Sequence, residues 1–390
     1  MALRSARARK KSEDPGRGAP APGPAAKKRG KAVPDGAVPR PTAGRWLLRG
    51  KDGRLSAYAQ VDDAAVWWTE TVAGGPYFTG PQRLPAGGTA ISMTTAQSAE
   101  GYAHLVALRR RPAPDDGDPL IDLVHAIQYQ SGRPLRTWQS IPSPYRTRAK
   151  SAKMGVPAVL LDGHGGLHVY LQNAEGRLSF RRQTPKGRFN DWERASVEGT
   201  PIKAEAYAVL GDDGVIDVLG PAAGRVLHWR LRGHEGEAER VSELELDAAV
   251  APGTLSSERT SPSHRTYFWR DAGSAGVRAW RPGSDPADLG GPGSGPVSVL
   301  RTPVDGVDCT ILAGRGQDGR PALAAYPTED EEAGLTWVPS GEPCRGAPAL
   351  ALDGAGRVTL AAIGADGSLR IARQKAETGL ALEAWTRPAG

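Results

Sequence analysis

PAVLLDGHGGLHVYLQNAEGRLSFRR, residues 157 to 182, decides the fold of this chain. PAVLLD (157–162) reads as a short apolar strand, and GHGG (163–166) as a turn whose glycines permit positive φ. LHVYLQ (167–172) alternates, with Leu167, Val169 and Leu171 on one face. NAEG (173–176) is a second turn. RLSFRR (177–182) alternates again through Leu178 and Phe180, and DWERAS (191–196) adds an outer strand carrying Trp192. Four short strands make a small sheet that cannot cover both of its own faces, so like sheets must pack on either side.

The unit repeats. A glycine opens a short apolar run at Gly176, Gly224, Gly276, Gly319 and Gly367, at steps between 43 and 52 residues. Residues 52–70 align on 164–183, with Leu55 on Leu167, Tyr58 on Tyr170 and Trp68 on Phe180, and with Ala64 where Gly176 stands. A degenerate unit, GYAHLVALRRR and PLIDLVHAIQY (101–129), fills the gap between them. The last unit copies the grammar as PALALD (348–353), VTLAAI (358–363), SLRIAR (368–373) and an outer strand with Trp385. Units therefore start near 44, 89, 151, 200, 251, 297 and 344. The prediction is an all-β, seven-bladed β-propeller over residues 44–390, with four short antiparallel strands per blade and almost no helix. The 50 Gly and 33 Pro suit the three tight turns each blade needs. RWLLRG (45–50) reads as the first strand of blade one. Each blade then comes from one contiguous repeat, and the ring closes by side-chain packing.

Residues 1–43 differ in kind. The first forty hold eleven Lys or Arg and three acids, an excess larger than the +7 of the whole chain, so the propeller itself is close to neutral. Pro, Ala, Gly and basic residues with few large apolar groups cannot offset chain entropy by burial, and a disordered tail is expected. Its Arg7, Arg9, Lys10, Lys11, Lys27, Lys28, Arg29 and Lys31 could neutralise phosphates of nucleic acid or an anionic surface without a fold, although a solubilising role is the plainer expectation. No apolar h-region follows MALRSARARKK, and no run reaches membrane-spanning length. The expected location is cytoplasmic, with release by a route needing no cleaved signal left open. Cys309 and Cys344 fit a reducing compartment.

The pattern P-A-V-L-L-D-G-x-G-x-L-x-V-Y followed by G-x-L-x-F and an aromatic-bearing outer strand resembles the PLL-like seven-bladed β-propellers, related to tectonin-type and fucose-binding lectins. The resemblance covers nearly all of the chain beyond the tail. It implies a multivalent ring with glycan pockets in clefts between blades. The blades have diverged, so it carries over no sugar-contacting residue.

Most of the ten Trp read as packing residues. Trp68, Phe180, Trp280 and Ile371 occupy equivalent positions, and a site accepting Trp, Phe or Ile packs between sheets. Trp138, Trp192, Trp337 and Trp385 recur in outer strands as blade-edge seals. Trp67 and Trp229 fall one residue out of phase and are the candidates for carbohydrate contact. The seven His are scattered without metal spacing and read as turn or strand-surface residues. Asp115, Asp116, Asp118, Asp212 and Asp213 read as turn acids, and Glu329 to Glu332 as a solvated charge run. No nucleophile motif appears. No metal or cofactor is expected, and the expected function is a non-catalytic lectin-like ring binding glycans between blades. The alternative is a protein-interaction scaffold tethered by its basic tail.

Overall fold

The computed structural model describes residues 38–388, apart from 114–116, 196–199, 212, 233–235 and 248. Seven sheets follow one another along the chain. Blade three shows the pattern. Ala158–Leu161, Leu167–Gln172, Leu178–Arg182 and Glu193–Arg194 pair antiparallel in order. Blade four runs from Tyr207–Leu210 to Ala238–Glu245, blade five from Ser256–Arg259 to Ala287–Gly290, and blade six from Gly293–Val304 to Val338–Pro339. In blade seven, Cys344–Leu352, Val358–Gly364 and Leu369–Arg373 pair, and a bridge from Ile371 to Thr386 stands for the outer strand. Helix is limited to Arg148–Ser151 and a single turn at Glu331–Ala333 among the described residues.

Acidic and amide side chains set the turns. Asp162 Oδ1 accepts the N–H groups of His164 and Gly166 at 2.9 and 2.8 Å, and Asp353 Oδ1 accepts those of Ala355 and Arg357 at 2.9 and 3.0 Å. Asn173 closes its turn in the same way onto Glu175 and Arg177. These local bonds replace the ladder bonds that a reversing chain loses.

The core lies between blades. Seven apolar clusters separate consecutive sheets all the way round, including one between blades seven and one. Strand alternation feeds them. Val218 packs toward blade three and Leu219 toward blade five; Ile311 packs toward blade seven and Leu312 toward blade five. Each such Leu or Val, fully buried, contributes about 1.5–3 kcal/mol.

The ring closes by side-chain packing as expected, but not every blade is one contiguous repeat, because Ala43–Gly44 of the first unit joins the sheet of blade two. Leu47–Arg49 opens blade one and pairs with Leu55–Val61, so neither end lends a strand to the other. Side chains tie blade seven to blade one instead. Trp46 Nε1 donates to Ala347 O at 3.1 Å, Arg357 Nη2 to Gly74 O at 2.9 Å, and Arg373 Nη2 to Glu70 Oε1 at 2.7 Å.

Several expectations need correction. Residues 38–43 do not all belong to a tail. Arg40–Pro41 pairs with Gln60 and Ala59, and Ala43–Gly44 runs parallel to Thr94 and Thr95 of blade two. Pro41 hides this in the sequence, because an edge position needs no N–H from it. The rest of the proposed tail, residues 1–37 with all eight named basic residues, lies outside the described residues, as do Asp115, Asp116 and Asp212. Of the glycines that open the apolar runs, Gly276 does not take the positive φ of Gly176, Gly224, Gly319 and Gly367; Ala275 before it does, with φ 58°. Ala64 needs no glycine, because its hairpin closes with only Asp62 and Asp63 between paired Val61 and Ala64. His104, His125, His168 and His228 are buried, not superficial, since both faces of a blade are covered. Within the acidic run, Glu331 is engaged by Arg281, and Glu329 by Thr260 and His264.

Candidate ligand clefts between blades

Outer-strand tryptophans mark the edges where neighbouring blades meet. Each turns its indole N–H back to the preceding blade. Trp138 donates to Pro85 O at 2.9 Å, Trp192 to Pro142 O at 2.8 Å, Trp337 to Leu289 O at 2.9 Å and Trp385 to Ser340 Oγ at 2.9 Å. Glycines admit the last two rings. A Cβ at Gly291 would lie 2.2 Å from Trp337, and one at Gly341 would lie 2.5 Å from Trp385.

Two of these edges open into clefts. Between blades five and six, Trp337 and Pro339 face Arg270, Gly314 and Asp318 around a cavity of 280 Å³. Between blades six and seven, Trp385 and Arg370 line a smaller one of 110 Å³, with Glu342 and Pro343 at its edge. The clefts are related by the repeat: Gly316 matches Gly364, Asp318 matches Asp366 and Trp337 matches Trp385 at the same 48-residue step. One substitution sets them apart. Arg370 stands where blade six has Ala322, which leaves the first cleft wider.

A further edge is already filled. At blades two and three, the Arg181 guanidinium packs 5.6 Å from the Phe189 ring centre and 5.9 Å from that of Trp192. The cation covers the aromatic surface that a ligand would use.

The electrostatics of the two open clefts differ. Arg370 is balanced by Asp366 at 3.4 Å and Glu342 at 3.5 Å. Arg270 is 2% exposed, and the partners of its guanidinium are all carbonyls. Nε donates to Gly295 O at 2.9 Å, and Nη1 to Ala275 O at 2.9 Å and Gly291 O at 2.6 Å. Desolvation pushes its pKa down to about 10. Arg315, one blade on, repeats the motif, with Nε donating to Cys344 O at 2.9 Å. An arginine at the end of a blade's second strand thus latches onto the first strand of the next.

The tryptophans singled out as carbohydrate candidates sit elsewhere. Trp67 and Trp229 are each 2% exposed, in the cores between blades one and two and between blades three and four. Being out of phase turns them to the other face of the blade, and that face is covered as well. Trp68, Phe180, Trp280 and Ile371 are buried packing residues, as their positions predict. Trp337 and Trp385, read as seals, are the ones that reach the clefts. Arg270 was missed. The sequence signal for it is an arginine ending an apolar strand before a D-x-G turn, seen only once the register is known. Among the described residues, no group of three or more His, Cys, Asp or Glu converges in a metal-holding arrangement, and Cys309 and Cys344 are free.

No protein-family model matches the sequence, and no curated protein does. Solved structures share the fold. The BP39L lectin from Burkholderia pseudomallei is 15% identical, with a TM-score of 0.63 over 90% of this chain and 99% of that one. The polysaccharide lyase PL25 ulvanlyase is 12% identical, with a TM-score of 0.52 over 86% and 93%. AofleA from Arthrobotrys oligospora is 12% identical, with a TM-score of 0.50 over 78% and 88%. At these identities the likeness is one of fold. It agrees with the propeller fold that the seven sheets form.

Proposed function

We propose that this propeller binds saccharides in the outer clefts between blades and does not turn them over. The observation that carries the reading is the pairing, in one cavity of 280 Å³, of the Trp337 indole with the Arg270 guanidinium. A pyranose has an apolar face of C–H groups, which packs on an aromatic ring, and a rim of hydroxyls, which need fixed donors and acceptors. The cleft supplies both. Its volume lies just under the roughly 300–1,000 Å³ of drug-sized pockets and suits one or two sugar rings. The repeat places a second, tighter cleft at Trp385, so the ring presents more than one site and gains avidity on a multivalent glycan.

Binding without turnover is supported by the lining. The cleft between blades five and six contains one carboxylate, Asp318, whose Oδ1 accepts the Arg320 N–H at 2.9 Å. Hydrolysis of a glycosidic bond usually employs two carboxyl groups flanking it. Similarity in fold to a lectin over 99% of that lectin's length agrees with this reading.

A glycan array tests it. The intact protein is expected to bind a set of saccharides, and the double variant Trp337→Phe, Trp385→Phe to lose at least tenfold in apparent affinity while keeping a cooperative melt. An empty array, or binding unchanged in the folded double variant, overturns the proposal.

A further inference from the structure

We propose that the cleft between blades five and six selects a saccharide bearing an anionic group, a carboxylate or a sulfate, which pairs with Arg270 Nη2. The inference rests on the saccharide reading above and narrows it to one ligand chemistry at one of the two clefts.

Three observations carry it. First, Arg270 is a deeply buried cation without a counter-charge. Two of the other buried arginines have one, with Arg373 contacting Glu70 at 2.7 Å and Arg182 contacting Glu193 at 3.0 Å, and Arg181 is instead covered by the Phe189 and Trp192 rings. The Arg270 guanidinium bonds only the carbonyls of Gly295, Ala275 and Gly291. Burying a charge among neutral partners is costly, and a chain uses a buried ion where its charge has a purpose. Second, those bonds occupy Nε and Nη1 and leave Nη2 with no acceptor among the described residues. Glycines stand around that nitrogen. A Cβ at Gly314 would lie 2.5 Å from it and one at Gly293 3.1 Å, so side chains there would crowd the guanidinium, and Gly314 and Arg270 both line the cavity. Third, the neighbouring cleft serves as an internal contrast. Its Arg370 is already paired with Asp366 and Glu342, whereas in the first cleft Ala322 replaces that arginine, Ser294 stands one 48-residue step before Glu342, and the one acid that remains, Asp318, is not paired with Arg270. Asp318, at the mouth, is exposed and makes no ion pair with Arg270.

The geometry also states how the anion sits. Nε and Nη1 hold the guanidinium plane against the backbone, so a ligand oxygen meets Nη2 end-on rather than through a two-pronged pair. The bond is charge-assisted, in a site partly removed from water, where such bonds are strong. The sugar ring extends from that contact toward Trp337.

Calorimetry on the full chain tests the inference with methyl β-D-glucuronide, methyl β-D-glucoside, a 6-sulfated glucoside and inorganic sulfate. Glucuronide or the sulfated sugar is expected to bind at least tenfold tighter than the neutral glucoside, with the difference shrinking as salt rises. Arg270→Gln should erase the difference. Because Arg270 also latches two blades, Ala322→Glu provides a second test: it adds a repelling charge to the cleft and leaves Arg270 in place, and it should erase the difference too. Binding of neutral and acidic sugars with equal affinity overturns the anion inference and leaves the saccharide reading standing. Absence of binding by every sugar overturns both. Inorganic sulfate binding as tightly as the sulfated sugar overturns the inference as well, since the site would then hold an ion rather than a glycan.

Discussion

Gly176 shows how a single residue serves the blade. It has φ +79°, at the end of the turn closed by Asn173, and the nearest neighbour of an added Cβ would be Pro201 at 3.3 Å. A β-branched side chain is badly strained there, at about 1–2 kcal/mol for the left-handed backbone alone. Gly176→Val is therefore expected to lower the unfolding free energy measured by urea titration by that amount and to leave saccharide binding unchanged, because the turn lies away from Trp337 and Trp385. Unchanged stability would show that the turn does not need the left-handed conformation. Residue roles were only partly legible in the sequence. Trp68 and Phe180 were readable as packing residues because their positions recur in phase. Trp67 and Trp229 misled because phase reports which face a side chain takes, and in a propeller both faces are buried. Arg270 was invisible because its acceptors Gly291 and Gly295 lie in the connection to the next blade and in that blade's first strand, at a distance in sequence that only the register reveals.

At the scale of the element, blade two carries a pH-sensitive pair. His104 and His125 stack with ring centres 5.1 Å apart, and His104 Nδ1 lies 3.0 Å from His125 Nε2. Both are buried, and desolvation lowers their pKa values from the ordinary 6.5 to about 4 and about 3; for His125 the nearby His104 adds to the effect. A group whose pKa falls on folding contributes stability that is complete above its unfolded value and is lost as pH drops toward the folded one. The fold is thus expected to weaken as pH falls from about 6.5 toward 4, at about 1.4 kcal/mol per unit for each group still neutral only in the native state. Urea titrations at pH 7 and pH 4.5 measure this, and His104→Gln should flatten the dependence. A wild-type midpoint independent of pH over that window contradicts the assignment. Strand existence was legible in nearly every blade because alternation is local. The extra pairing of Arg40–Pro41 was not, because proline-rich composition resembles a tail until a partner strand is present.

At the scale of the whole molecule, seven inter-blade cores make a closed ring, and the contact between blades seven and one closes it. Glu70 there is 0% exposed and Arg373 5%, and Leu55 N–H also donates to Glu70 at 2.8 Å. Arg373→Met leaves Glu70 buried and unpaired, and a cost of about 3–5 kcal/mol is expected in equilibrium unfolding. A loss within the 0–1 kcal/mol or so of an exposed pair would mean that this interface is not closed in solution. The ring itself was legible from repeat spacing, since a sheet that must be covered on both faces forces one period along the chain. Whether and where it binds was not legible, because the clefts are made by residues from different repeats.

The claim that the outer clefts are binding sites is tested most directly by a crystal structure of the full chain soaked with methyl β-D-glucuronide. The account predicts a sugar ring in the cleft between blades five and six, packed on Trp337, with its carboxylate on Arg270 Nη2. Density for the sugar elsewhere on the ring, with the Trp337 and Trp385 clefts empty at saturating ligand, would contradict it.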